Sequence, residues 1–154
     1  MTINIISPGE KSKYNFFCFA KTVYNNFKYL ERYSNLKHNM TEIIRIIKSP
    51  NSIIIFKINN KKIVGYVLGE IIKLNDGRNI FYITYIFTSR QFRLQGIASE
   101  LLNVVFKIVS DKGLDCVMLT YDSDDVHLKN FYEKKGFMPD VILRTYDKFE
   151  VLSK

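Results

Sequence analysis

The sequence predicts an α/β (α+β) fold in which a mixed sheet of about seven strands carries about four helices. Three observations predict it. From Ile53 to Thr88 the chain is dominated by β-branched and aromatic residues cut by two turn signals, the mark of antiparallel hairpins. After Arg90 the apolar spacing becomes helical, then continuous, then helical again, which is how a helical crossover adds a parallel neighbour. The 154 residues suit one domain, spanning 1–154, with one core.

The elements follow in order. Ile3 to Ile6 reads as an opening strand, and Ser7-Pro8-Gly9 as a turn. Phe16, Ala20, Val23, Phe27 and Leu30 are spaced as one face of a helix of roughly twenty residues. A short helix is expected at Thr41 to Lys48, with Thr41 as N-cap and Ser49-Pro50-Asn51 as its stop. Ile53 to Ile58 and Ile63 to Leu74 form a hairpin about Asn59-Asn60-Lys61-Lys62, and Asp76-Gly77 turns into a third strand, Ile80 to Thr88. Ile97, Leu101, Val104, Val105 and Ile108 form a helical stripe that Gly113 stops. Cys116 to Tyr121 is a short apolar run, as in a buried parallel strand. Asp122 to Asp125 offer N-cap chemistry for a helix ending at Gly136. Two strands close the chain, near Phe137 to Leu143 and Thr145 to Leu152.

Composition excludes several classes. Hydrophobic residues at 47% and aromatics at 14% exclude a disordered chain. No apolar run approaches the ~18–20 residues of a membrane span, and Met1 to Pro8 lack the pattern of a secretory signal. Cys18 and Cys116 lie in apolar segments without metal-ligand spacing, as buried reduced thiols of a cytoplasmic protein would. His38 and His127 are isolated, so no metal site is expected. The net charge of +8 favours anionic partners. Its lysines are scattered without a dense basic block, which argues against nucleic acid and fits codon bias or an anionic cofactor.

The chemistry centres on Arg93-Leu94-Gln95-Gly96-Ile97-Ala98, which follows a strand and opens a helix. A helix start offers unpaired N–H groups and the positive dipole end to a pyrophosphate. Gly96 permits close approach, and Arg90 and Arg93 add charge. The Gly-Lys-Ser/Thr of a Walker loop and the three glycines of a dinucleotide fingerprint are absent. A second segment holds Phe131-Tyr132 and Gly136-Phe137. Alone, its aromatics read as helix-face core.

Together these residues resemble the GNAT superfamily of N-acetyltransferases. Its pyrophosphate loop, Gln/Arg-x-x-Gly-x-Gly/Ala, is matched by Arg93, Gly96 and Ala98. Its aromatic-Tyr pair and Gly-Phe are matched by Phe131-Tyr132 and Gly136-Phe137, and the element order agrees from Ile53 onward. The resemblance implies the GNAT fold, with a splayed central strand pair, and acetyl-CoA as co-substrate. The pantetheine arm would lie along Ile86, Phe87 and Thr88. The pyrophosphate would sit on Leu94, Gln95, Gly96, Ile97, Ala98 and Ser99. Asp125 stands where many members have Asn, so it reads either as a helix cap or as a cofactor contact.

The implied reaction is direct attack of a neutral amine on the thioester in a ternary complex. A backbone N–H near Phe87 would support the oxyanion, and Tyr132 would protonate the leaving thiolate. Tyr82 matches a Tyr of some amino-terminal protein acetyltransferases, but Thr120 stands where these carry Glu or His. Glu70 and Asp122 remain options for the base, with a solvated strand residue as the bland reading of Glu70. The leading acceptor is a small-molecule amine, an amino-sugar phosphate or a polyamine. Alternatives are a protein or peptide acceptor, or a CoA-binding module without catalysis. Homodimers are common in the family and rest here on the resemblance alone.

Overall fold

The computed structural model describes residues 1–13, 15–33, 36–140 and 149–154. Among these, the strands form one seven-stranded sheet. β1 (Thr2–Ile6), β2 (Ser52–Asn59), β3 (Lys62–Lys73) and β4 (Asn79–Thr88) are successively antiparallel. β5 (Cys116–Asp122) joins β4 in parallel, as the alternation after Arg90 predicts. β7 (Phe149–Ser153) pairs antiparallel with β5, and the two-residue β6 (Met138–Pro139) closes the edge. Of the two C-terminal strand expectations, residues 141–143 of the first and 145–148 of the second lie outside the described residues.

Both faces of the central strands are covered, which is why Ile53 to Phe56 are all buried. Ile53, Ile55, Val67 and Phe81 pack under α3 (Ile97–Asp111), whereas Ile54, Phe56, Tyr66 and Leu68 pack under α1 (Phe17–Asn26) and α2 (Met40–Lys48). At the β2–β3 hairpin Asn60 and Lys61 have φ of 47° and 63°, the left-handed pair a two-residue turn requires. α3 ends with Leu114 N–H bonded to Val109 O and Gly113 N–H to Ser110 O, with Gly113 at φ 64°. This pattern satisfies the last carbonyls.

Three expectations are corrected. The first long helix is a ten-residue α1 followed by a 3₁₀ turn at Lys28–Arg32. Spacings of three and four residues fit either helix type, so the apolar stripe does not reveal the break. α2 is capped by Asn39, whose Oδ1 accepts the Glu42 N–H at 2.8 Å, and not by Thr41. Cys18 is exposed, because α1 turns Phe19, Ala20 and Val23 inward instead; Cys116 is buried as expected.

Candidate active site

The site begins at an irregularity in β4. Leu68 pairs with Tyr85 and Gly69 with Ile83, so Thr84 is an extra residue in the ladder. Such a bulge bends a strand and inverts its alternation. Phe81 and Ile83 face α3 before it; beyond it Ile86 takes that side, and Tyr85 and Phe87 face the α1–α2 layer. Gly69 makes room, since a Cβ there would stand 2.6 Å from Tyr82 O and 2.7 Å from the Phe81 ring.

The pairing of β4 with β5 also stops here, at the residue before Thr84. The parallel ladder between β4 and β5 runs only from Ile80↔Cys116 to Ile83↔Leu119. β4 continues to Thr88 and β5 to Asp122, leaving a gap between their carboxyl ends. Ile86, Phe87 and Thr88 flank it on the β4 side, where the resemblance puts the pantetheine arm. The Thr88 carbonyl accepts a bond from Arg93 Nε at 3.2 Å.

Just past the gap lies the start of α3. Leu94 and Gly96 take φ of 61° and 81°, and Leu94 is wholly exposed. The Gln95 amide ties the loop by donating to Gln91 O at 3.1 Å. The first bond into the helix runs from Glu100 N–H to Gly96 O at 2.9 Å. The N–H groups of Ile97, Ala98 and Ser99 therefore have no carbonyl one turn below them. No atom lies within 4 Å of where a Gly96 side chain would stand. Open N–H groups, a positive dipole end and free space together fit an anion such as a pyrophosphate.

α4 (Val126–Lys134) borders β5 and carries the second motif. Asp125 caps it, with Oδ1 accepting the Leu128 N–H at 3.0 Å. Tyr132 is buried, with ring centroids 5.3 Å from Phe131, 5.5 Å from Phe137 and 6.0 Å from Tyr121. Burial first, then the nearby Tyr29 and Asp125, hold its phenol proton well above the ordinary tyrosine range.

On the α1–α2 side of the sheet, the candidate Tyr82 has its Oη 2.8 Å from Oγ1 of Thr120, which cannot act as a base at neutral pH. Burial raises the Tyr82 phenol as well. Glu70 stands opposite Tyr82 in the ladder and is buried, not solvated. Arg45 Nη2 donates to its Oε1 at 3.0 Å. Asp122 Oδ1 accepts the Asp124 N–H at 3.0 Å.

Two groups carry no sequence signal. His38 is buried, with Nε2 2.9 Å from Tyr24 O and Nδ1 2.8 Å from Tyr85 Oη. The carbonyl only accepts, so Nε2 bears the proton, and in neutral His38 the Tyr85 hydroxyl donates to Nδ1. Tyr29, in the 3₁₀ turn after α1, lies within electrostatic range of Asp122, Asp125, Arg93 and Tyr132. Only tertiary packing brings either to the site.

The fold and the site define a class first: an α/β protein whose central strands part beside a helix start with open N–H groups that fit an anion. The comparisons make this particular. The model of the acetyltransferase (GNAT) family matches residues 19–137, and the chain belongs to that family of acyltransferases. An aminoglycoside acetyltransferase structure from an uncultured soil metagenomic sample is 20% identical, with a TM-score of 0.66, over 96% of this chain and 99% of that one. A PaiA N-acetyltransferase from Thermoplasma acidophilum, in complex with coenzyme A, is 18% identical with a TM-score of 0.66, over 100% of this chain and 99% of that one. An Arabidopsis thaliana protein in complex with the bisubstrate analogue CoA-Ac-MVNAL is also 18% identical, with a TM-score of 0.67, over 100% and 99%. No curated protein matches the chain. Among the described residues no helix is long and apolar enough to cross a membrane.

Proposed function

We propose that this chain transfers the acetyl group of acetyl-CoA to a primary amine of a small molecule. The observation that carries the reading is the gap between β4 and β5, which points at the open start of α3. An extended pantetheine arm needs the first and its pyrophosphate the second. The backbone of Ile86 to Thr88 lines the arm, and residues 94–99 receive the phosphates. The other face of the opened strands, toward α1 and α2, receives the amine. A fixed backbone N–H near Phe87 supports the oxyanion without reorganising. Tyr132 keeps its proton through the neutral range and delivers it to the departing sulfur, while the attacking nitrogen sheds its surplus proton to solvent, from which the Tyr132 phenolate is reprotonated.

The aminoglycoside acetyltransferases of similar fold support a small amine as acceptor. Tyr82, which matches a Tyr of some amino-terminal protein acetyltransferases, favours a peptide amino terminus as the second reading, whereas Thr120 beside it departs from their pattern. Thioester consumption with a panel of amino sugars, polyamines and short peptides decides between them. In the same assay Tyr132→Phe, which keeps the ring and removes the hydroxyl, lowers turnover by roughly 10²–10⁴-fold with little change in CoA affinity. Wild-type turnover in that variant removes Tyr132 from the mechanism. No turnover with any amine, alongside CoA binding, replaces the enzyme by a CoA-binding module.

A further inference from the structure

We propose that Lys57 positions the pyrophosphate site and compensates its charge: its buried ammonium neutralises Glu100, a carboxylate that the first turn of α3 places beside the phosphates. The inference rests on the acetyl-CoA reading above.

Glu100 is the acidic residue in the first turn of α3. With the site empty, a carboxylate there complements the helix dipole. With a pyrophosphate on the N–H groups of Ile97 to Ser99, the same carboxylate is a like charge at close range. Lys57, on β2, donates from Nζ to Glu100 Oε2. The lysine side chain is only 9% exposed and the glutamate 48%. A lysine is buried to this degree only when paired.

The sheet explains how a lysine two strands away reaches the helix start. Lys57, Gly65 and Thr88 lie level across β2, β3 and β4. A Cβ on Gly65 would stand 2.9 Å from Ile97 Cγ2, 3.1 Å from Phe87 O and 3.2 Å from Leu101 Cδ1. The missing side chain lets the first turn of α3 lie directly on β3, within reach of β2. The rival reading is a tether that only anchors the helix. A tether affects stability and treats all acyl donors alike, whereas charge compensation acts on donors that carry the pyrophosphate.

The test uses Lys57→Met, Glu100→Gln and the double variant. It measures CoA affinity by calorimetry, thermal midpoint, and kinetics with acetyl-CoA and with S-acetyl-pantetheine, which lacks the pyrophosphate. Lys57→Met weakens CoA binding by about ten-fold, and its loss with acetyl-CoA exceeds that with S-acetyl-pantetheine by a similar factor. Glu100→Gln binds CoA as well as wild type or a few-fold more tightly. The double variant returns to within about three-fold of wild type, because the uncompensated charge is gone. A double variant as weak as Lys57→Met, or equal losses with both donors, overturns the proposal. Should Lys57→Met fail to fold, the surface variant Glu100→Gln still decides, since weaker CoA binding there also overturns it. A wild type that does not bind CoA overturns the proposed function and this inference together, whereas failure in the variants alone spares the former.

Discussion

Gly69→Ala probes the bulge at which the β4–β5 pairing ends. The φ of Gly69 lies outside the left-handed region, so alanine meets no backbone penalty, and its lower unfolded-state entropy is worth ~0.4–1 kcal/mol in its favour. Against that stand contacts of 2.6 Å with a backbone carbonyl and 2.7 Å with the enclosed Phe81 ring, neither the loose end of a flexible side chain. Overpacking of this kind costs ~1–3 kcal/mol. The difference is a net loss centred on ~1.3 kcal/mol, and for a chain this long the melting midpoint falls by roughly 3–5 °C. Gly9→Ala is the control, because nothing lies within 4 Å of its new methyl and its φ is unremarkable; that variant melts with wild type or slightly above. The assay is paired thermal melts, with CoA titration of both variants. A Gly69→Ala protein that melts at or above wild type refutes the steric account of the bulge.

Two further predictions follow. Asp125→Ala removes the α4 cap and costs about 1 kcal/mol, whereas Asp125→Asn keeps the capping oxygen and most of the stability; equal denaturant midpoints for Ala and wild type contradict this. The phenols of Tyr66, Tyr82, Tyr85 and Tyr132 are all raised by burial, Tyr85 to about 12. The folded chain therefore holds these protons to higher pH than the unfolded chain, whose phenols ionise near ~10. Their stabilisation is complete below that pH and is lost as pH rises toward the folded values, at up to roughly 1.4 kcal/mol per pH unit for each phenol. Denaturant midpoints unchanged between pH 9 and 11.5 contradict this.

Much of this fold was legible in the sequence, for physical reasons visible element by element. α3 was readable because its stripe keeps helical spacing to a glycine at φ 64°. The β2–β3 hairpin was readable because Asn60 accepts a left-handed turn. The bulge at Thr84 was not: β4 is buried on both faces, so apolar residues on either side of Thr84 fit either phase. The helix start was legible as a loop motif, but the long-range side-chain pairs on either face of the sheet were not. Lys57 and Glu100 are 43 residues apart, Arg45 and Glu70 are 25 apart, and His38 and Tyr85 are 47 apart. Such pairs leave no periodic trace and exist only once the sheet aligns its strands.

In the proposed function an acetyl-CoA pyrophosphate sits on the N–H groups at the start of α3. The most direct measurement is a calorimetric titration of CoA into wild type, Gly96→Asn and Gly96→Asp. Both side chains tolerate the left-handed φ of 81° and enter open space, so the two variants differ only in charge. The expected result is saturable binding to wild type, a modest loss in Gly96→Asn, and about ten-fold or more further loss in Gly96→Asp. Equal affinity in Gly96→Asn and Gly96→Asp, or no binding to wild type, would contradict it.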